Sequence, residues 1–196
     1  MPAVRRVGAA AGALLASSAM LGGCAVLEVK EPVRTPSAIE ACAMGHRWSL
    51  DVSALANVVA EILAERGVGG IAGVAAEGAQ TLDWTMDGTF TLDSDYTIVV
   101  TLATDPATEV RQTVSGVSGG QVFFSGAVAV PRDWSEAELE IETTATQGET
   151  PLDPPPVEIP KTVIDDMVGL ETICDGGQLI MEGRGTNRTW TFTAVG

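Results

Sequence analysis

The sequence predicts a mainly β domain: an antiparallel up-and-down meander of about eight strands, closed or half-open as a barrel, with one helix after the first strand. Two observations predict it. Apolar residues alternate with polar ones over several short segments, as Leu139, Ile141 and Thr143 alternate with three glutamates, and a period of two is typical of strands with one buried face. A single segment, residues 55–63, repeats its apolar residues with the period of a helix.

The first strand and the helix come early. Trp48, Leu50 and Val52 fall on one face of residues 47–52. The helix that follows can be capped by Asp51 or Ser53, and Gly67 lies where a C-terminal left-handed residue is expected. The apolar face of this helix consists of Leu55, Val58, Val59, Ile62 and Leu63.

The hairpin around Gly88 is predicted from its register. A two-residue turn at Asp87-Gly88 would place the apolar residues of the two strands on opposite faces. A three-residue loop, residues 86–88 with Gly88 in the left-handed region, instead pairs Trp84 with Phe90 and Leu82 with Leu92. We therefore expect the three-residue loop.

The rest of the chain continues the meander. Prolines at 151, 154, 155, 156 and 160 exclude a central strand and predict an extended surface loop over residues 147–160, and a short helical turn is predicted near residues 161–168. The further predicted strands cover residues 96–102, 109–114, 121–130, 138–146, 170–174, 178–182 and 188–195.

A closed barrel is favoured over an open sheet because closure removes the sheet edges. Gly45-x-x-Trp48 near the first strand and Arg188 at the last one resemble the lipocalin and fatty-acid-binding barrels. That resemblance implies a barrel over most of residues 45–195 and a structural contact between Trp48 and Arg188. A curved half-barrel like that of actinobacterial lipid-carrying lipoproteins fits the same periodicity.

The N-terminus predicts export. Arg5 and Arg6 precede a short apolar run, and Leu21-Gly22-Gly23-Cys24 follows. This order resembles the signal peptide and lipobox of bacterial lipoproteins, which implies cleavage before Cys24 and a diacylglyceryl group, with its palmitate-type chains, on that residue. The predicted division is a signal peptide over residues 1–23, a tether over 24–40 and the domain over 41–196, held at the extracytoplasmic face of the cell membrane. A plain signal peptide is the alternative.

The cysteine count agrees with export. If Cys24 carries lipid, Cys42 and Cys174 remain, and an even pair in an exported chain predicts a disulfide. Two buried free thiols are the alternative.

Charge and composition exclude several functions. The net charge of −15 argues against nucleic-acid binding, which needs clustered basic residues. His46 is the only histidine, so neither a histidine-based zinc site nor an ordinary catalytic triad is indicated. Asp83, Asp87, Asp93 and Asp95 do not follow a calcium-loop spacing. We expect no catalytic residue, metal or cofactor.

Three functions remain. The first is a membrane-anchored, non-enzymatic barrel that binds a small apolar ligand through interior side chains such as Trp84, Phe90, Phe124 and Trp190. The second is a structural or protein-interaction module of the cell envelope, with a filled core and an acidic surface for a basic partner. The third is a carboxylate-based hydrolase, which needs acids that converge on a cleft.

Overall fold

The computed structural model describes residues 35–160, 169–186 and 188–195. These residues form two helices and nine strands. The helices are α1 (Ala38–Ala43) and α2 (Val52–Glu65). The strands are β1 (His46–Leu50), β2 (Ile71–Trp84), β3 (Thr89–Leu102), β4 (Thr108–Ser125), β5 (Val128–Gln147), β6 (Thr150–Pro151), β7 (Leu170–Asp175), β8 (Gln178–Gly183) and β9 (Thr189–Val195).

Eight of the described strands form an antiparallel ring in meander order, and the short β6 pairs outside it with β5. The ring runs from β1 through β5 and then from β7 through β9, and β9 pairs back with β1. It is not a clean barrel, because β5 meets β7 through two residue pairs, Val128 with Glu171 and Ala129 with Leu170. The predicted fold class is confirmed, including the helix after the first strand.

The incomplete closure follows from strand length. Strands β2 to β5 have 14 to 20 residues, whereas β7, β8 and β9 have six or seven. Strand β1 pairs with β2 only over residues 81–84. Where β2 is not paired with β1, the described strands β2 to β5 continue as an open four-stranded sheet. The sheet of the described residues is therefore closed as a ring at one end and open and curved at the other.

Helix α2 covers part of the open sheet. It begins at the Asp51 cap, whose carboxylate accepts a hydrogen bond from the Ser53 amide, and Gly67 follows it with a φ of 76°. All five residues of the predicted apolar face are buried, and the helix packs against β2. Leu55 lines the same small cavity as Gln80, Tyr96 and Trp190, so the first turn of the helix reaches the middle of the core.

The predicted hairpin register is confirmed. Leu82 pairs with Leu92 and Trp84 with Phe90. The amide of Thr85 donates to the carbonyl of Thr89, which leaves a three-residue loop, and Gly88 has a φ of 89°. Because a Cβ on Gly88 would lie 2.9 Å from the carbonyl oxygen of Val122, glycine is required there for space as well as for conformation.

Two predicted elements were wrong. Residues 121–130 are not one strand but the end of β4, a turn and the start of β5, because the chain reverses at Gly126, whose φ is 65°, and Ser125 pairs with Val128. The proline-rich loop is extended but not wholly on the surface: Val157, Ile159 and Pro160 are buried. These apolar side chains cover the open sheet that the short strands leave bare. The predicted helical turn over residues 161–168 lies outside the described residues.

The predicted disulfide joins Cys42 in α1 to Cys174 in β7, with a Cα–Cα distance of 6.0 Å. Helix α1 begins with a capping box in which Ser37 and Glu40 bond to each other's main-chain amides. It spans the position at which the sequence puts the boundary between tether and domain. No helix among the described residues is both long enough and apolar enough to cross a lipid bilayer.

Candidate functional site

The four aromatic residues predicted to line a ligand site all lie in the core of the ring. Trp84 and Phe124 stack with their ring centroids 5.4 Å apart. Phe90 packs against Trp134 at 5.0 Å. Trp190 is 1% exposed and pairs with Met181 of β8. The sequence thus identified interior side chains correctly.

The cavities beside three of these side chains are too small for a ligand. The cavity beside Trp84 and Phe90 has a volume of about 30 Å³, and the one beside Trp190 about 20 Å³. Each is large enough for one or two water molecules, whereas sites for small organic ligands run from roughly 300 to 1,000 Å³. The aromatic cluster is a packed core that supports the ring.

The contact between Trp48 and Arg188 implied by the lipocalin resemblance is not made. Trp48 pairs with Ala194, and Arg188 is six residues away along an extended strand, a separation of about 20 Å. The indole of Trp48 instead donates to the carbonyl of Ala43 at 2.9 Å. Arg188 forms an ion pair of 2.7 Å with Glu65 at the end of α2.

A larger cavity lies at the open end of the sheet. It has a volume of about 570 Å³ and separates the inner face of β4 and β5 from residues 152–160, which we call the strap. Its wall contains apolar side chains, two carboxylates, an amide and a hydroxyl. The described lining residues are Gln112, Glu136, Leu139, Ile141, Thr143, Pro155, Val157, Glu158 and Ile159.

Two hydrogen bonds fix the strap at its ends. The main-chain amide of Leu152 donates to the carbonyl of Ala145 at 2.9 Å, where the strap leaves β5. The side-chain amide of Gln112 donates to the carbonyl of Ile159 at 3.2 Å, and lies 3.5 Å from the hydroxyl of Thr143. Gln112 is 2% exposed. Its Oε1 atom has no hydrogen-bond partner among the described residues.

Glu136 reaches the interior because β5 contains two bulges. Between the pairs Gln121–Arg132 and Gly119–Ser135, and again between Gly119–Ser135 and Val117–Glu138, two residues of β5 oppose one of β4. Each bulge reverses which residues face inward. Ala129 and Leu139 face the core at odd positions, and between the bulges the inward positions are even, those of Trp134 and Glu136.

The first bulge depends on backbone geometry. Asp133 has a φ of 52°, in the left-handed region. Opposite it, a Cβ on Gly120 would lie 2.7 Å from the carbonyl oxygen of Arg132. Glycine at position 120 therefore lets β5 approach closely enough to turn Trp134 and Glu136 inward.

The carboxylate of Glu136 is partly withdrawn from water. Its Oε1 atom is buried and has no hydrogen-bond partner among the described residues. Burial, and secondarily the negative charge of Glu136, raise the pKa of Tyr96 to about 12. The charge of Glu136 therefore disfavours ionisation of a phenol inside the sheet.

Sequence reasoning missed Gln112 and Glu136. The available signal was the change in alternation along β5: Ala129 is odd, Trp134 even and Leu139 odd, so two irregularities must lie between them. Gln112, which lies between Val110 and Val114 on one face of the predicted strand, was the second signal.

Comparison with protein-family models, curated proteins and solved structures finds no match to this chain. Its own geometry must therefore carry any functional conclusion. Within residues 35–160, 169–186 and 188–195, no three histidine, cysteine, aspartate or glutamate side chains group as metal ligands would. The predicted lipidation residue, Cys24, lies outside the described residues.

Proposed function

We propose that this chain is an exported lipoprotein whose non-enzymatic β domain binds a small ligand in the cavity beneath the strap. The observation that carries the binding proposal is the cavity itself, which has a volume of about 570 Å³ and a wall of apolar and polar side chains. That volume lies within the range of sites for small organic ligands, roughly 300 to 1,000 Å³. In this proposal the aromatic core packs the interior of the ring and does not bind the ligand.

The anchoring half of the proposal depends on the N-terminus. Leu21-Gly22-Gly23-Cys24 after a basic and apolar stretch is the sequence support for lipidation of Cys24. The Cys42–Cys174 disulfide adds to it, because disulfides persist in oxidising compartments outside the cytoplasm. Two acyl chains on Cys24 would hold the domain stably at the extracytoplasmic face of the membrane.

Labelling tests the anchor. Cells that express the full chain are fed radiolabelled palmitate, and the chain is compared with its Cys24→Ser variant. We expect label in the parent only, and release of the variant from the membrane fraction. Equal membrane binding of both chains would contradict the anchor and leave the cavity untouched.

Native mass spectrometry tests the binding. The delipidated protein from its own host is compared with Ile141→Trp, which fills the cavity, and with Ile173→Trp. Ile173 is a matched control because it is 60% exposed on β7, away from the cavity. We expect a small molecule to co-purify with the parent and the control and not with Ile141→Trp; bare protein in all three would contradict the proposal.

The envelope-module alternative is supported by one observation, the filled aromatic core. Its surface would include the exposed apolar side chains Met86, Phe123, Ile173 and Val195. A basic partner for the acidic surface is part of that alternative.

For a hydrolase, the cavity offers Glu136 and Glu158, but Glu158 is exposed on the strap, so a shielded pair of carboxylates is not formed.

A further inference from the structure

We propose that the ligand of the strap cavity is an amine, protonated at neutral pH and attached to an apolar body, whose charge is balanced by the carboxylate of Glu136. This inference rests on the proposed function and specifies the chemistry of its ligand.

The first step concerns hydrogen bonding. The amide nitrogen of Gln112 is used by the strap, at 3.2 Å from the carbonyl of Ile159, and its buried Oε1 has no hydrogen-bond partner among the described residues. The other orphaned polar atom of the wall, Oε1 of Glu136, is also an acceptor. Both orphaned atoms are acceptors with almost no accessible surface, so they offer no donor to an anion, whereas a primary or secondary ammonium brings two or three N–H groups of its own.

The second step concerns charge. Glu136 and Glu158 are the charged residues in the described wall, and both are acidic. The described arginines at 47, 66, 111, 132 and 184 are exposed, and Arg188 is paired with Glu65. A carboxylate or phosphate ligand would meet like charge without a basic partner among the described residues, whereas a cation would gain an interaction strengthened by partial burial.

The third step concerns the remaining wall. Leu139, Ile141, Val157 and Ile159 give the cavity an apolar surface opposite the acceptors. A bare metal ion would leave that surface unused, and the described residues group no set of three metal-ligating side chains. A volume of about 570 Å³ fits an organic amine with an apolar body of about ten heavy atoms or more.

Three probes of equal length test this proposal: octylammonium, octanol and octanoate, each titrated calorimetrically into the full domain below its micelle concentration. The parent is compared with Glu136→Gln and Glu140→Gln. Glu140 is exposed on the same strand, so its variant changes the net charge equally without touching the cavity. This control separates binding at Glu136 from general attraction of cations to a protein of net charge −15.

We expect octylammonium to bind the parent at least tenfold more tightly than octanol or octanoate, and Glu136→Gln to abolish that preference while Glu140→Gln keeps it. Equal binding of octylammonium and octanol, or the same loss in both variants, would overturn the amine proposal and leave a binding cavity in place. Binding of none of the probes, together with bare protein in native mass spectrometry, would overturn the cavity as well.

Discussion

The side-chain amide of Gln112 donates a 3.2 Å hydrogen bond to the main-chain carbonyl of Ile159, and so ties the middle of the sheet to the strap. The two residues are 47 positions apart in the chain. A strand side chain that satisfies a loop carbonyl holds that loop at a fixed height above the sheet. The volume of the cavity therefore depends on this contact.

Loss of that contact should loosen the strap. In Gln112→Leu the carbonyl of Ile159 has no donor from β4, and a lost buried hydrogen bond costs about 1–3 kcal/mol. We expect faster hydrogen exchange and faster proteolysis over residues 152–159. Gln121→Leu, an exposed glutamine on the same strand, is the matched control and should exchange like the parent. Unchanged exchange in both variants would show that Gln112 does not hold the strap.

Tyr96 is the only tyrosine, so its ionisation can be followed by ultraviolet absorbance without interference. The raised pKa of about 12 means that the fold favours the neutral phenol, chiefly through burial. This contribution to stability is complete below pH 10 and is lost as the pH rises through about 12. We expect the urea midpoint to fall across that window, and Tyr96→Phe to remove the absorbance change.

The charge of Glu136 is the second cause of the raised Tyr96 pKa. Glu136→Gln should therefore lower the pKa of Tyr96, whereas Glu140→Gln should not. Spectrophotometric titration measures both. An unaltered titration in Glu136→Gln would mean that its carboxylate does not face the phenol.

The bulge opposite Gly120 should be sensitive to a single methyl group. A Cβ at position 120 would lie 2.7 Å from the carbonyl oxygen of Arg132, and such crowding costs about 1–3 kcal/mol. Gly120→Ala should lower the free energy of unfolding and weaken octylammonium binding, because Glu136 would be displaced. At Gly73 a Cβ meets nothing within 4 Å, so Gly73→Ala is the control. If Gly120→Ala and Gly73→Ala are equally stable, the bulge does not require glycine at position 120.

The disulfide closes a separation of 132 residues between α1 and β7. Constraint of so long a loop in the unfolded chain stabilises a protein by roughly 2–5 kcal/mol. We expect the double variant Cys42→Ser, Cys174→Ser to lose about that much in urea unfolding, and reduction of the parent to give the same result. If the reduced parent is as stable as the oxidised one, the disulfide does not stabilise the fold.

The ion pair between Arg188 and Glu65 replaces the expected contact with Trp48. A double-mutant cycle of Arg188→Ala and Glu65→Ala should give a coupling energy of up to about 1 kcal/mol, since Glu65 is largely exposed. The cycle of Arg188→Ala with Trp48→Phe should give none. Coupling to Trp48 instead of Glu65 would restore the lipocalin-like arrangement.

The sequence predicted what local patterns determine. The register of Trp84 with Phe90 followed from keeping apolar residues on one face, and the face of α2 from Leu55 to Leu63 followed from its period. The inward position of Glu136 could not be predicted in the same way, because two bulges reverse the alternation and their positions depend on the approach of β4 residues that lie 11 to 21 positions away in the chain. The burial of Ile159 depended on strand lengths that leave part of the sheet uncovered.

Methyl NMR tests the central claim most directly, because it reports which part of the interior meets the ligand. Octylammonium is titrated into the domain with labelled isoleucine, leucine and valine methyl groups. We predict shifts at Ile141, Val157 and Ile159 around the strap cavity, and none at Leu92 and Leu179 in the aromatic core. Shifts confined to Leu92 and Leu179, or no shift at any of the five, would contradict a ligand site beneath the strap.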